Sequence, residues 1–162
     1  MVGIVMGSES DLPVVEGAFE ILRSFDIPFE VRVLSAHRTP DETAEWASTA
    51  RKRGLKVLLA AAGGAAHLGG VVAAHTTLPV IGIPVGGGSL NGLDALLATV
   101  QMPSGVPVAT VAIGGSKNAA LLAVQILGTA DPAIEARLDE YKSEMRRNVA
   151  AMDERVRGKA AQ

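Results

Sequence analysis

"VGIVMGSESDLPVVEGAFEILRSFDIPFEVRVLS", from Val2 to Ser35, holds two apolar runs with a helical pattern between them. The first run, Val2–Gly7, and the second, Phe29–Ser35, read as β-strands. Between them Leu12, Val15, Phe19 and Leu22 recur at steps of three and four, which makes one buried stripe on a helix. Asp11 and Pro13 suit the start of that helix, the acid as its cap and the proline in its first turn. Strand, helix and strand in this order predict a parallel pair joined by a right-handed crossover. The first run is continuously apolar, as expected where helices cover both faces of a sheet. The second alternates in part, with Glu30 and Arg32 facing away from Val31 and Val33, and is predicted to lie near an edge.

The alternation continues along the chain. Lys56–Ala62, Pro79–Val85 and Pro107–Gly114 read as three further strands. A helix is expected over Pro40–Arg53, opened by Thr39 and carrying Asp41 and Glu42 in its first turn. Three more follow Gly64, Gly92 and Ser116. The prediction is a three-layer α/β domain around a parallel sheet of about five strands. With no linker and no internal repeat, residues 1–162 are expected to form a single domain. The last segment differs: between Asp131 and Arg157, Ile134, Leu138, Tyr141, Met145, Val149, Met152 and Val156 recur at steps of four and three. That is one apolar stripe on a long helix with no strand after it. Such a helix either closes its own domain or packs on a neighbouring subunit.

Composition removes several classes of function. A formal charge of −2 over 162 residues offers no clustered basic surface for nucleic acid or an anionic membrane. The absence of cysteine excludes disulfides, zinc-thiolate sites and thiol nucleophiles. No run reaches the roughly 18 uninterrupted apolar residues of a membrane span, and the opening "MVGIVMGSESD" has no basic segment of a signal peptide. A soluble, cytoplasmic protein is expected. Aromatics are only 3% while glycines number 18, so the core is built of small residues and gives little burial per residue. Such chains often gain stability between subunits.

In open α/β sheets ligands bind beyond the carboxyl ends of the strands. The loops predicted there are "GSESD", "SAHRTPD", "AAGGAAHLGG", "VGGGSLNG" and "GGSKNAA". Each offers unobstructed backbone N–H groups near a helix start, an arrangement suited to phosphate. Dinucleotide and P-loop spacings are both missing, which argues against dehydrogenase and kinase readings. In "SAHRTP", Ser35 and Arg38 suit phosphate, arginine through its fork of charged donors. His37 between them is either a packed or solvated loop residue or an acid/base group, and imidazole is the side chain best fitted to give and take a proton near neutrality. His67 either starts its helix, satisfied by backbone, or lines the site with Gly63, Gly64, Ala65 and Ala66. Asp11 either caps its helix or accepts from ribose hydroxyls. His75 falls at the far end of a helix and reads as structural or solvated, and Trp46 as packing. Three scattered histidines provide no metal-ligand spacing, and no G-x-S-x-G elbow is present.

Taken together, "MGSESD", "SAHRTP", "AAGGAAHLGG" and "QMPSGVPVATVAIGGSKNAALLAVQIL" closely resemble the N5-carboxyaminoimidazole ribonucleotide mutases of purine biosynthesis, from about Val2 to Ala130. The resemblance implies a flavodoxin-like fold, a homo-octamer, a small ribonucleotide substrate, and neither metal nor nucleotide cofactor. It also implies transfer of a carboxyl group from the exocyclic nitrogen to ring carbon 4, with His37 as the catalytic acid and base. Ser8, Asp11 and Arg38 match the family's substrate contacts, with Ser10 and Ser35 as further candidates. A related branch, which carboxylates aminoimidazole ribonucleotide directly with CO2, resembles "SAHK" at the histidine loop and lacks "GGAAHL". Arg38 and the loop Gly63–Leu68 therefore favour the mutase. "VGGGSLNG" is more glycine-rich than the family's version of that loop. A non-catalytic module binding a phosphorylated nucleoside is the reading from another class, and it would have no need of His37.

Overall fold

A computed structural model describes residues 1–160. Five parallel strands form one sheet: β1 (Val2–Met6), β2 (Phe29–Val33), β3 (Val57–Gly63), β4 (Val80–Val85) and β5 (Ala109–Thr110). Their order is β2-β1-β3-β4-β5, the flavodoxin-like arrangement, whose direction of winding reverses between β1 and β3. Val2 pairs with Phe29 on one side and Val57 on the other, and the register holds to Met6, opposite Val33 and Ala61. The carboxyl ends of β1 and β2 are thereby level, and β3 runs two residues further, to Gly63. Between the strands run α1 (Leu12–Ser24), α2 (Pro40–Thr49), α3 (Leu68–Ala74), α4 (Leu93–Val100) and α5 (Ser116–Gly128).

Right-handed crossovers decide which face each helix covers. The step from β1 to β2 runs opposite to the later steps, so α1 lies on one face and α2, α3 and α4 on the other. Gly17 of α1 abuts Ser116 and Lys117, which sets α5 beside α1. Under α2 and α3, Val5, Leu58, Ala60 and Val80 pack with Trp46, Ala47, Leu55, Leu68 and Val72. Ile4, Leu59, Ile81 and Ile83, one residue out of phase, are buried on the opposite face. This two-sided burial is the cause of the unbroken apolar runs. Trp46 is packing, as expected: its ring is buried, and its indole N–H donates to Glu30 at 2.7 Å.

Two elements are shorter than the sequence expectation. β5 is two residues long rather than eight, because Pro107 has no N–H to donate and only Ala109 and Thr110 hold ladder register with β4. Beyond them the chain still follows β4 irregularly, Val111 and Gly114 donating to Gly82 and Pro84 carbonyls. Helix α2 stops at Thr49 instead of Arg53, and turns lead to Gly54 at φ +84°. At β2 the edge position is borne out, yet Val31 and Val33 are exposed while Glu30 is covered by Trp46 and Arg53.

The chain divides into two compact units, Met1–Val124 and a second from Gln125 onward. The second is dominated by α6 (Pro132–Ala160). Its start is capped by Asp131, whose Oδ1 accepts from the N–H of Ala133 at 3.0 Å. Within this unit Met145, Val149, Met152 and Val156 are exposed along the predicted stripe.

Candidate active site

Beyond the carboxyl ends of β1, β2 and β3, three loops border a cavity of about 470 Å³. From β1 comes a single 3₁₀ turn, Glu9–Asp11, capped by Ser8. The Ser8 Oγ accepts from the Ser10 N–H at 3.3 Å and from the Ser10 hydroxyl at 2.9 Å, while Asp11 Oδ2 accepts from the Ser8 N–H at 3.2 Å. Asp11 therefore caps backwards onto this turn and makes no side-chain bond into α1. It is buried, and burial pushes its carboxyl above the ordinary aspartate range, opposed by hydrogen bonds from Ser8, Gly7 and Ser10 and by the Arg38 charge.

From β2 comes Ser35, whose backbone N–H donates to Thr39 Oγ1 at 2.8 Å. Its hydroxyl accepts from the Arg38 N–H at 3.2 Å and from Arg38 Nε at 3.3 Å. Arg38 Nη2 crosses to the first loop and donates to the Gly7 carbonyl at 2.7 Å. One guanidinium thus joins two loops and fixes its own plane at the cavity edge. From β3 the chain turns at Gly64, φ +60°, and His67 stands at the start of α3 without capping it.

The two histidines meet. His37 Nε2 lies 2.8 Å from His67 Nδ1, with ring centroids 4.9 Å apart and planes at 78°. Ser8, Ser10, Asp11, Ser35, His37, Arg38, Gly63, Ala65 and His67 all line the cavity. Gly64 and Ala66 do not: the glycine makes the turn, and Ala66 is buried. Two of the five loops also stay away. Gly86–Gly92 is absent from the lining, and Gly114–Asn118 borders a separate cleft against α1. His75 is exposed at the end of α3, as expected. Gly7, Ala36, Ala62 and Leu68 line the cavity without having been singled out. Gly7 acts through a carbonyl, which no residue type advertises, whereas Leu68 was visible as the apolar neighbour of His67. No group of three or more potential metal-ligating side chains occurs among the described residues.

A family model described as AIR carboxylase matches residues 1–148. The chain belongs to that family. A relative from Pyrococcus horikoshii named N5-carboxyaminoimidazole ribonucleotide mutase is 54% identical over 156 residues, 96% of this chain and 88% of its own. One of the same name from Mycobacterium tuberculosis is 56% identical over 161 residues, covering 98% and 92%. A Saccharomyces cerevisiae phosphoribosylaminoimidazole carboxylase is 56% identical over 141 residues, 87% of this chain but only 25% of that longer protein. Among solved structures, Treponema denticola PurE superposes with a TM-score of 0.85 at 28% identity, covering 95% of this chain and 96% of that one.

Proposed function

We infer that this protein is a purine-biosynthetic mutase that converts N5-carboxyaminoimidazole ribonucleotide to its 4-carboxy isomer. The observation that carries the reading is the near full-length match, at 54–56% identity, to relatives bearing that name. The cavity supports it with a fitting set of groups. Arg38, with Ser8, Ser10 and Ser35, is assigned to the phosphate, which the guanidinium fork and hydroxyl donors suit. Asp11 is assigned to the ribose hydroxyls. At about 470 Å³ the space falls within the range usual for small-molecule sites.

The reaction needs one proton delivered and one removed. As the N–C bond of the carbamate breaks, its electron pair stays on the exocyclic nitrogen, which takes a proton from His37, and CO2 is released into the pocket. Gly63 and Ala65 leave room for it. Ring carbon 4 then attacks CO2, forming the C–C bond, and His37 takes back the proton displaced from carbon 4. The sum is an isomerisation with no net proton change. One imidazole can serve both steps because it acts first as acid and then as base.

Identity alone does not separate mutase from carboxylase, since the yeast relative is equally similar over its matched part. Arg38 in "SAHR" and the intact Gly63–Leu68 loop favour the mutase. The test is an assay of purified protein, without ATP or metal, offered the carboxyamino ribonucleotide or aminoimidazole ribonucleotide with bicarbonate. Efficient product from the first alone supports the mutase; preference for the second replaces it with the carboxylase. His37→Asn is expected to keep ligand binding and lose about 10²–10⁴-fold in turnover, whereas unchanged turnover would remove His37 from the chemistry. The proposal extends to the assembly and location: a homo-octamer in the cytoplasm, with the apolar stripe of α6 packed on another subunit.

A further inference from the structure

We propose that His67 is a positioning residue that holds His37 by its Nε2 and so makes Nδ1 the atom through which His37 exchanges protons with substrate. The inference rests on the acid/base role given to His37 above. At 2.8 Å, His37 Nε2 and His67 Nδ1 share one proton. Two cationic rings cannot share this contact, because both nitrogens would then be donors. His37 Nδ1 has no hydrogen-bond partner among the described residues, so it is the free nitrogen.

The direction of the shared bond follows from the reaction. When His37 takes the proton from carbon 4 on Nδ1, it becomes an imidazolium with N–H at both positions. Its Nε2–H must then donate, and His67 must accept through an unprotonated Nδ1, carrying its own proton on Nε2. When His37 returns to the neutral state by giving up Nδ1–H, the Nε2–H bond to His67 stays in place. Acid and base steps thus use one atom and need no ring flip. His67 spreads and stabilises the charge through a hydrogen bond without taking the proton, the part a carboxylate plays beside other catalytic histidines. The 78° angle between the rings lets the His37 N–H meet the second ring near its edge, where the nitrogen lone pair lies. The contact joins loops that leave different strands, β2 and β3, so its formation depends on the fold.

The test compares His67→Leu, which removes the acceptor, with His67→Asn, whose Oδ1 occupies the position of Nδ1. His67→Leu is expected to lower kcat about 10–100-fold, the loss seen when a metal-bound histidine is deprived of its hydrogen-bond partner, with KM changed less than about threefold. His67→Asn should recover most of that loss. ¹⁵N spectra of histidine-labelled full-length protein, assigned with His37→Asn, should show His37 protonated at Nε2 in the wild type and a mixture of tautomers in His67→Leu. The chain has only three histidines, which keeps assignment simple. Unaltered kcat in a folded His67→Leu variant, a rise in KM alone, or unchanged His37 tautomers would overturn the proposal. The spectra need no substrate, so they decide the pairing even where wild-type protein fails the turnover assay, a failure that would count against the proposed function alone.

Discussion

Arg38 carries two duties at the residue scale, since its Nη2 and Nε are already engaged by Gly7 and Ser35. Arg38→Ala should therefore weaken ribonucleotide binding about 10–100-fold, the range of a lost charged hydrogen bond, as read by calorimetry. Arg38→Lys should recover little, because an ammonium cannot span both anchors and a phosphate. Asp11 gives a pH-dependent expectation. Its folded-state affinity for protons is raised by burial, so the folded protein binds more protons than the unfolded one in the window just above the ordinary aspartate range. Stability contributed by the protonated acid is lost as pH rises through that window. Asp11→Asn should accordingly raise the urea midpoint at neutral pH, give no gain below about pH 3.9, and weaken ribose binding. A lower midpoint at neutral pH would show that its turn-capping bond outweighs the burial. Ser35, His37 and Arg38 were legible in sequence because they are contiguous at one strand end. The His37–His67 contact spans 30 residues and joins the loops after two different strands, so no local sequence pattern announces it.

At the element scale, periodicity and handedness give the five parallel strands, their helices and the edge place of β2 from the chain alone, while the full strand order is seen only in the fold. What also could not be read is where an element stops, because that depends on what lies beside it. α2 ends early as the chain turns toward β3, and β5 shrinks to the residues that can pair. The face of β2 is the instructive case. Glu30 sits on its covered side because it accepts from both Trp46 and Arg53, at 2.7 and 2.9 Å. Burial opposes its ionisation, but those hydrogen bonds and the Arg53 charge outweigh it and hold its carboxyl below the usual range. That contribution is present at neutral pH and is lost as pH falls through the depressed value. Glu30→Gln should cost about 1 kcal/mol or less at pH 7, since the pair is partly exposed, and nothing in strong acid. A second expectation concerns β4 and α4, which approach across Gly82. A Cβ there would run into Thr99 and Val108, so Gly82→Ala should destabilise by about 1–3 kcal/mol through overpacking, seen as a lower midpoint in chemical denaturation.

For the whole molecule, the apolar residues left in water point to association. Leu93, Leu97 and Val100 recur at steps of four and three along the outer side of α4, each about half exposed, and Leu90 and Ile113 are exposed as well. The γ2 methyl of Ile113 lies close to both Gly86 and Gly92, so this side chain adjoins the start of the α4 stripe. Within the second unit, Val149 and Val156 are exposed by 63% and 65%. Exposed apolar patches of this kind mark interaction surfaces, and a core poor in aromatics leaves stability to be gained there. Because these side chains are only about half exposed, each one covered by another subunit would contribute about half of the 1.5–3 kcal/mol of a full burial. If the proposed octamer forms, sedimentation equilibrium should find a species of about eight times the 16.6 kDa chain. Leu97→Asp and Val149→Glu replace a gain with the burial of an unpaired charge, repeated in every subunit, and each should shift the distribution toward smaller species at micromolar concentration. Neither position lines the cavity, so any loss of turnover in these variants should track dissociation and recover as protein concentration is raised. A wild-type chain that sediments as a monomer would refute the assembly and leave the catalytic reading to stand on the cavity of a single subunit.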